Sequence, residues 1–479
     1  MQKKFLTNLG FLVLVNLLIK PFYILGIDAE VQNVVGAQDY GNYFAILNFS
    51  FLLNIVNDMG ITNFNNRNIA QHRHLLEKHF PRILVLRFVL LLIYAAVTIL
   101  AGALVGYDSG QVIMLAFLTL NQGLVASVFY LRSNLSGLHL FRQDSIISVL
   151  DRALLILFCG VLLWTNIAGG AFQIEWFVYA QTLSYAITFV IAFILVRRSV
   201  SQFKFKWDPP FWIEILKQSL PFAILVMLMF LYHRMDTVLL ERLVPNGDVQ
   251  AGIYAQGFRF LDALNNFSFL FAVLLFPIFS RLLKEKEDIK SLLDLSTKIL
   301  LSGVGVIALT CFFFRYEIIN WRYSEEIELA SRCFGILILT ALCHSTGHIF
   351  GTLLTAAGRL KSLNYLSFIA VLLGLSLNLW LAPKYLAFGS TIANLCTNSF
   401  VAIASVLIVQ RIFGYSISGS VLGRLLLLGG LLVLIGNYAT SLPWNWFVNL
   451  IIMMLSGLLL AIILRLIDVK GLIGILKDS

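Results

Sequence analysis

Charge is scarce in this chain. Asp, Glu, Lys and Arg supply 13% of its 479 residues, about half the share of an ordinary soluble protein. Hydrophobic residues supply 59%, more apolar surface than one soluble core can hide. The pair of figures excludes a soluble enzyme, a disordered chain and a nucleic-acid binder. Paired cysteines are missing too. Cys159, Cys311, Cys333, Cys343 and Cys396 all lie inside apolar runs, with no CxxC pair and an odd count. They read as small apolar residues in helix packing rather than as disulfides or zinc ligands. No P-loop is present, so nothing points to direct ATP use. No link is long enough for a separate soluble domain. The longest runs from about 197 to 216 and contains Trp207-Asp208-Pro209-Pro210.

What is present is hydrophobic length. A membrane-spanning helix needs roughly 20 apolar residues, and polar punctuation divides the chain into fourteen such runs. They fall at about 7–27, 41–62, 82–105, 111–132, 143–164, 173–196, 217–240, 250–280, 294–315, 326–356, 360–382, 386–410, 421–440 and 444–466. The first follows Met1-Gln-Lys-Lys but contains Lys20-Pro21 and lacks an A-x-A site, so it reads as an uncleaved helix. Trp164, Trp321, Trp444 and Trp446 sit near span ends, as an aromatic belt requires. With the N-terminus placed in the cytoplasm, 25 of the 35 Lys and Arg fall in cytoplasmic segments and four (Arg242, Arg315, Arg322, Lys384) in the opposite ones. This asymmetry reads the net charge of +10 as an orientation signal. It predicts a multi-pass protein with both termini cytoplasmic. The basic segment 63–81, with His72, His74 and His79, reads as an interfacial helix against anionic lipid. Tyr40-Gly41-Asn42-Tyr43 recurs as Ala251-Gly252-Ile253-Tyr254, 211 residues on. Six spans separate the copies, so both keep one orientation, the pattern of a parallel two-half carrier.

Charges inside spans carry the chemistry, because each costs about 2.5–3.5 kcal/mol at a helix centre. Lys20, Arg152 and Arg259 fall near mid-depth by helical rise. Arg234 and Arg332 lie nearer the outer surface, and Arg87 lies nearer the inner one, within snorkelling reach. Asp58, Asp151, Asp236 and Asp262 accompany them. Arg259 and Asp262 share a helix face and are placed to pair. Asp151-Arg152 and Arg234-x-Asp236 do not, and must find partners on other helices. Two readings stand: helix–helix glue, or the lining of a polar cavity. Lys20 has no acid within four residues, and Pro21 beside it loosens the local backbone bonding, which favours the cavity. Cations at mid-depth would attract an anion, with Arg suited to forked phosphate contacts and Lys to a point charge. Polar residues in spans, among them Asn48, Gln181, Asn265 and Asn398, would meet sugar hydroxyls or bond between helices. His344 and His348, four apart, offer proton coupling or packing; His344-Ser-Thr-Gly-His348 lacks the Glu of H-E-x-x-H. No metal site or cofactor is indicated.

Several runs resemble bacterial polysaccharide flippases of the multidrug/oligosaccharidyl-lipid/polysaccharide exporter superfamily, with Wzx-type O-antigen translocases the best match. They are Val35-Gly36-Ala37-Gln38-Asp39-Tyr40-Gly41-Asn42-Tyr43-Phe44-Ala45, Asn57-Asp58-Met59-Gly60-Ile61 and Arg67-Asn68-Ile69-Ala70. In the second half they are Met235-Asp236, Ala251 to Ala255 with Arg259, Pro277, and Gly351 to Arg359. The resemblance implies an all-α membrane protein of about 14 helices, with two six-helix lobes in a V (1–200 and 201–415) and two added helices (416–479). It implies alternating-access transfer of an undecaprenyl-diphosphate-linked oligosaccharide across the bacterial cytoplasmic (inner) membrane. Membrane lipids, and polysaccharide polymerase machinery, are the further partners. Diphosphate contacts are then expected at Lys20, Arg152, Arg234 and Arg259, and ion coupling at Asp58, Asp236, Asp262, His344 or His348. Related lipid II flippases carry an arginine cluster on the first helix where this chain has Lys20 alone, which argues against lipid II as cargo. Three rival readings fit the sequence less well. A nonenzymatic membrane scaffold would have no reason to bury so many charges. A multidrug/cation antiporter cavity would favour acids, against the excess of buried bases here. A membrane polysaccharide polymerase or ligase would need a long outer loop that the chain does not have.

Overall fold

The helices turn a soluble protein's logic inside out. Leu100, Leu104, Leu426, Leu434 and Leu455 stand exposed on helix faces, while Asn48, Asn57, Asn134, Gln181 and Asn394 are buried. Lipid is the solvent that makes this arrangement stable, since it welcomes the leucines and cannot hydrogen-bond the amides. The computed structural model describes residues 15–16, 18–62, 65, 75–138, 140–165, 172–199, 206–415 and 418–467, and no strand occurs among them.

A helical stretch containing Lys20 leads into a π-helical turn, Tyr23–Asp28. Then follow α1 (Ala29–Leu53), α2 (Ile55–Asp58), α3 (Leu75–Val105), α4 (Ser109–Gly137), α5 (Phe141–Trp164), α6 (Ile174–Arg197) and α7 (Pro209–Leu243). The second half continues with α8 (Gly247–Glu285), α9 (Lys290–Phe313), α10 (Arg315–Arg322), α11 (Ile327–Ala356), α12 (Leu360–Phe413), α13 (Gly419–Ser441) and α14 (Trp446–Ile463). Eleven of these helices are long and apolar enough to cross a membrane. α12, at 54 residues, would measure about 81 Å if straight, far beyond a hydrocarbon core of about 30 Å. It breaks at Leu386 (φ 54°, ψ −138°) and so supplies two spans. Another break, at Gly36 (φ 84°, ψ 166°) in α1, separates the first two. The total is the expected fourteen.

At these two breaks the expected links, about 28–40 and 383–385, shrink to single residues of unusual backbone angle. Gly36 adopts its angles without a Cβ clash. Leu386 has no such freedom, and the amide freed just after it, on Ala387, donates to the Gln250 side chain at 3.1 Å. The chain reaches further toward the start of the third span than expected, α3 beginning at Leu75 with Pro81 inside it. Of the basic segment, His72 and His74 lie outside the described residues; His79 packs its ring 5.0 Å from Phe211.

By contacts the chain forms two compact units, Met1–Glu241 and Arg242–Ser479. In the first, α6 packs on α4 and α5, and α3 on α4. One apolar core there gathers Ile61, Phe80, Ile83, Leu131, Ile147, Val196 and Trp212. The start of α7 is tied to α3 by a Trp212 indole N–H to the Arg82 carbonyl (3.1 Å) and an Arg82–Asp208 ion pair (3.0 Å). In the second unit α11 is the hub, touching α8, α9, α10 and α12. The added helices α13 and α14 pack on each other and on α9, with Val306, Leu428, Leu432 and Ala461 at their shared core. The two copies of the repeated motif are buried in corresponding fashion, Tyr40 and Tyr43 in one unit and Ala251 and Tyr254 in the other.

Candidate anion-binding site

The first unit collects cations around Lys20. Pro21 carries no amide N–H, and the helix beyond it widens into the π-helical turn that buries Tyr23 and Ile27. α5 brings Asp151 and Arg152, and α6 brings Tyr185. The Arg152 Nη1 donates to the Tyr185 hydroxyl at 2.9 Å, and its Nε lies 3.8 Å from Asp151 Oδ2. The guanidinium carbon sits 4.7 Å from the Tyr23 ring centre and 5.6 Å from that of Tyr185. Lys20 shares this electrostatic neighbourhood, with Arg152, Arg132 and Asp151 acting on it. Among the described residues its ammonium has no ion pair or hydrogen bond. Arg132 is held by Asp144 at 2.7 Å. Two carboxylates accompany the two remaining cations: Asp151 beside Arg152, and Asp28, which acts on Tyr23 and Tyr185 together with Arg152. The charges balance in number, but the Lys20 ammonium touches neither acid among the described residues and is the group an incoming anion would meet.

A polar shell surrounds the cations. The Tyr40 hydroxyl donates to Asp28 at 2.9 Å, Gln181 Nε2 donates to the Tyr43 hydroxyl at 2.7 Å, and Asn16 donates to Ser148 Oγ at 2.9 Å. Sequence reasoning did not single out Tyr23, Asp28 or Tyr185, and marked Tyr43 only as part of the repeated motif. The signal available was tyrosine inside a span, where an interfacial position is usual.

Other expected site residues lie elsewhere. In the first unit, Arg234 on α7 reaches Asn48 Oδ1 at 3.5 Å and lies over the Phe51 ring at 5.3 Å. Asp236 is buried on the same helix. Asp58 is ion-paired to Arg87 and accepts the Thr62 hydroxyl. In the second unit, Arg259 is 3% exposed and donates through Nη1 to the Tyr323 hydroxyl at 2.8 Å. Asp262 lies on α8 with Arg259, and its carbonyl accepts from Asn266 at 2.8 Å. His348 on α11 shares a 2.9 Å hydrogen bond with Asn265 on α8, and His344 lies one turn before it. Arg332 pairs with Glu328 at 2.7 Å, both exposed.

Two expectations about charge are corrected. Arg87 does not snorkel. It is 4% exposed, donates to the Ala126 carbonyl at 2.9 Å and the Thr62 hydroxyl at 2.6 Å, and lies over the Tyr130 ring at 4.9 Å. A nearby carboxylate outbids the interface, because Asp58 would otherwise stand uncompensated. Asp151 and Arg152 also meet each other, despite being sequence neighbours that point to different helix faces. Their side chains are flexible enough to curl together at 3.8 Å.

The fold is shared with transporters. Lipid II flippase MurJ in an inward closed conformation superposes with a TM-score of 0.71 at 14% identity, over 96% of this chain and 100% of that one. The eukaryotic MATE transporter AtDTX14 gives 0.62 at 16% identity, over 85% and 95%. An inward-facing multidrug resistance MATE family transporter of the MOP superfamily gives 0.60 at 14% identity, over 82% and 94%. These likenesses show that the chain has the polytopic α-helical fold of these membrane proteins. No curated protein matches the chain by sequence. The family model described as "Polysaccharide biosynthesis protein" matches residues 5–283, and the chain belongs to that family.

Proposed function

We propose that this protein is a flippase that carries an undecaprenyl-diphosphate-linked oligosaccharide, an O-antigen or other surface-polysaccharide repeat unit, across the bacterial cytoplasmic membrane by alternating access. The observation that carries the reading is the Lys20 ammonium, which has no partner among the described residues and lies beside an Arg152 clamped by tyrosine. Such a pair offsets the desolvation of a diphosphate, with Lys20 as point charge and Arg152 as fork. Buried amides and hydroxyls suit the sugars, and the isoprenoid tail stays in the bilayer. Arg234 and Arg259 are further cationic stations for the cargo; Arg259 starts from the more enclosed position. Both termini lie in the cytoplasm, and the lobes divide at 200/201 and 415/416. An ion gradient drives the cycle, with Asp58, Asp236, Asp262, His344 or His348 as the coupling groups. Membrane lipids and the polymerase machinery that receives the flipped unit are its partners.

An antiporter of drug cations is disfavoured by the Lys20 ammonium, which has no ion pair among the described residues and shares its surroundings with Arg152. In a deletion strain, lipid-linked oligosaccharide should accumulate on the cytoplasmic leaflet. Lys20→Ala, Arg152→Gln and Arg259→Ala should each fail to restore surface polysaccharide while the protein reaches wild-type abundance. Normal flipping with unpolymerised units outside would support a polymerase instead, and full polysaccharide from Lys20→Ala would remove the site.

A further inference from the structure

Arg152 is held before any cargo arrives, and the residues that hold it have no other assigned task. A free arginine side chain on a helix samples many rotamers, and ordering it costs conformational entropy. Here one Nη1 hydrogen is taken by the Tyr185 hydroxyl at 2.9 Å. Two tyrosine rings lie against the guanidinium, at 4.7 Å and 5.6 Å. Asp151 approaches Nε at 3.8 Å. Nη2 has no hydrogen-bond partner among the described residues. Asp151 thus lies off the Nε edge and Tyr185 off Nη1, which leaves the Nη2 donors, common to both edges of the guanidinium, open among the described residues. The Lys20 ammonium has no hydrogen bond or ion pair among the described residues. Rings beside a cation stabilise it without using its N–H groups, which is what a binding fork requires of its support.

We propose that Tyr185 and Tyr23 are positioning residues that pre-set Arg152 for the second phosphate of an isoprenoid diphosphate, so that Lys20 takes one phosphate and Arg152 the other. This rests on the flippase reading above and adds to it the means of telling a diphosphate from a monophosphate. Lys20 alone suffices for one phosphate. Discrimination depends on Arg152 presenting its fork at the correct angle, and an orientation lost by one rotamer is lost as selectivity rather than as general affinity.

The test uses the full-length protein purified in detergent, titrated with farnesyl diphosphate and with farnesyl monophosphate. Tyr185→Phe keeps the ring and removes the hydroxyl that fixes Nη1. It should weaken farnesyl diphosphate about tenfold and leave farnesyl monophosphate within twofold of wild type. Tyr23→Leu should do the same. Tyr94→Phe removes another buried hydroxyl of the same unit, which donates to the Ser50 carbonyl at 2.7 Å. It should lower thermal stability and change neither affinity. Equal loss of both ligands in Tyr185→Phe, or loss of neither, overturns the positioning role. If Lys20→Ala and Arg152→Gln also bind farnesyl diphosphate as wild type does, the flippase site falls with it. If those two lose the ligand while Tyr185→Phe and Tyr23→Leu keep it, only the positioning role fails.

Discussion

Replacing Arg87 with leucine removes the counter-ion of Asp58 and leaves a carboxylate inside a helix bundle. The Arg87 side chain makes four contacts: the Asp58 ion pair, hydrogen bonds to Thr62 and the Ala126 carbonyl, and the face of Tyr130. Breaking a buried pair from one side costs about 3–5 kcal/mol. Asp58 is 27% exposed, so solvent screening places this case at the lower end, about 3 kcal/mol. Asp58→Leu alone should cost a similar amount, since it strands Arg87. The double variant strands neither charge. It should be more stable than the sum of the single losses implies by about 2 kcal/mol, a coupling within the range seen for contacting residues. Thermal or denaturant unfolding of the four proteins in one detergent measures the cycle. Additivity within about 0.5 kcal/mol would show that the pair carries no net coupling and would refute the account of why Arg87 faces inward.

Two further outcomes follow from close backbone approaches. Gly60 has φ +75°, and a Cβ there would lie 2.8 Å from the Ser219 carbonyl oxygen on α7; Gly60→Ala should lose at least about 1–2 kcal/mol, read by unfolding, and a wild-type curve would contradict the contact. Gly436 on α13 has room for no side chain, because a Cβ there would run into the Phe313 ring on α9. Gly436→Val should loosen α13 from α9 at a cost of about 1–3 kcal/mol, seen as a lower melting temperature and faster proteolysis near α13; an unchanged protein would mean that the seat is not needed.

Much of the site was legible at the level of residue type. Lys20 stands out because no acid lies within four positions and a proline follows it, and among the described residues its ammonium has no ion pair or hydrogen bond. Arg152 was marked by its cost in a span. Its surroundings were hidden, because Tyr23, Asp151 and Tyr185 come from three helices whose rotations about their axes depend on packing. Arg87 misled for the same reason. Position along a helix suggests that a long side chain can reach the interface, but only the neighbouring helix decides whether a carboxylate lies closer.

The chain's own order of residues determined the number of spans, their all-α character and the asymmetry of its basic links, because a bilayer excludes unsatisfied backbone and charge and so writes its demands into every run of about 20 residues. Tertiary structure decided which charges became paired and which stayed open. It joined Asp58 to Arg87, enclosed Arg259 against Tyr323, and left Lys20 beside a braced Arg152. Those outcomes turn on contacts of a few ångströms between helices far apart in sequence, and no local pattern encodes such distances.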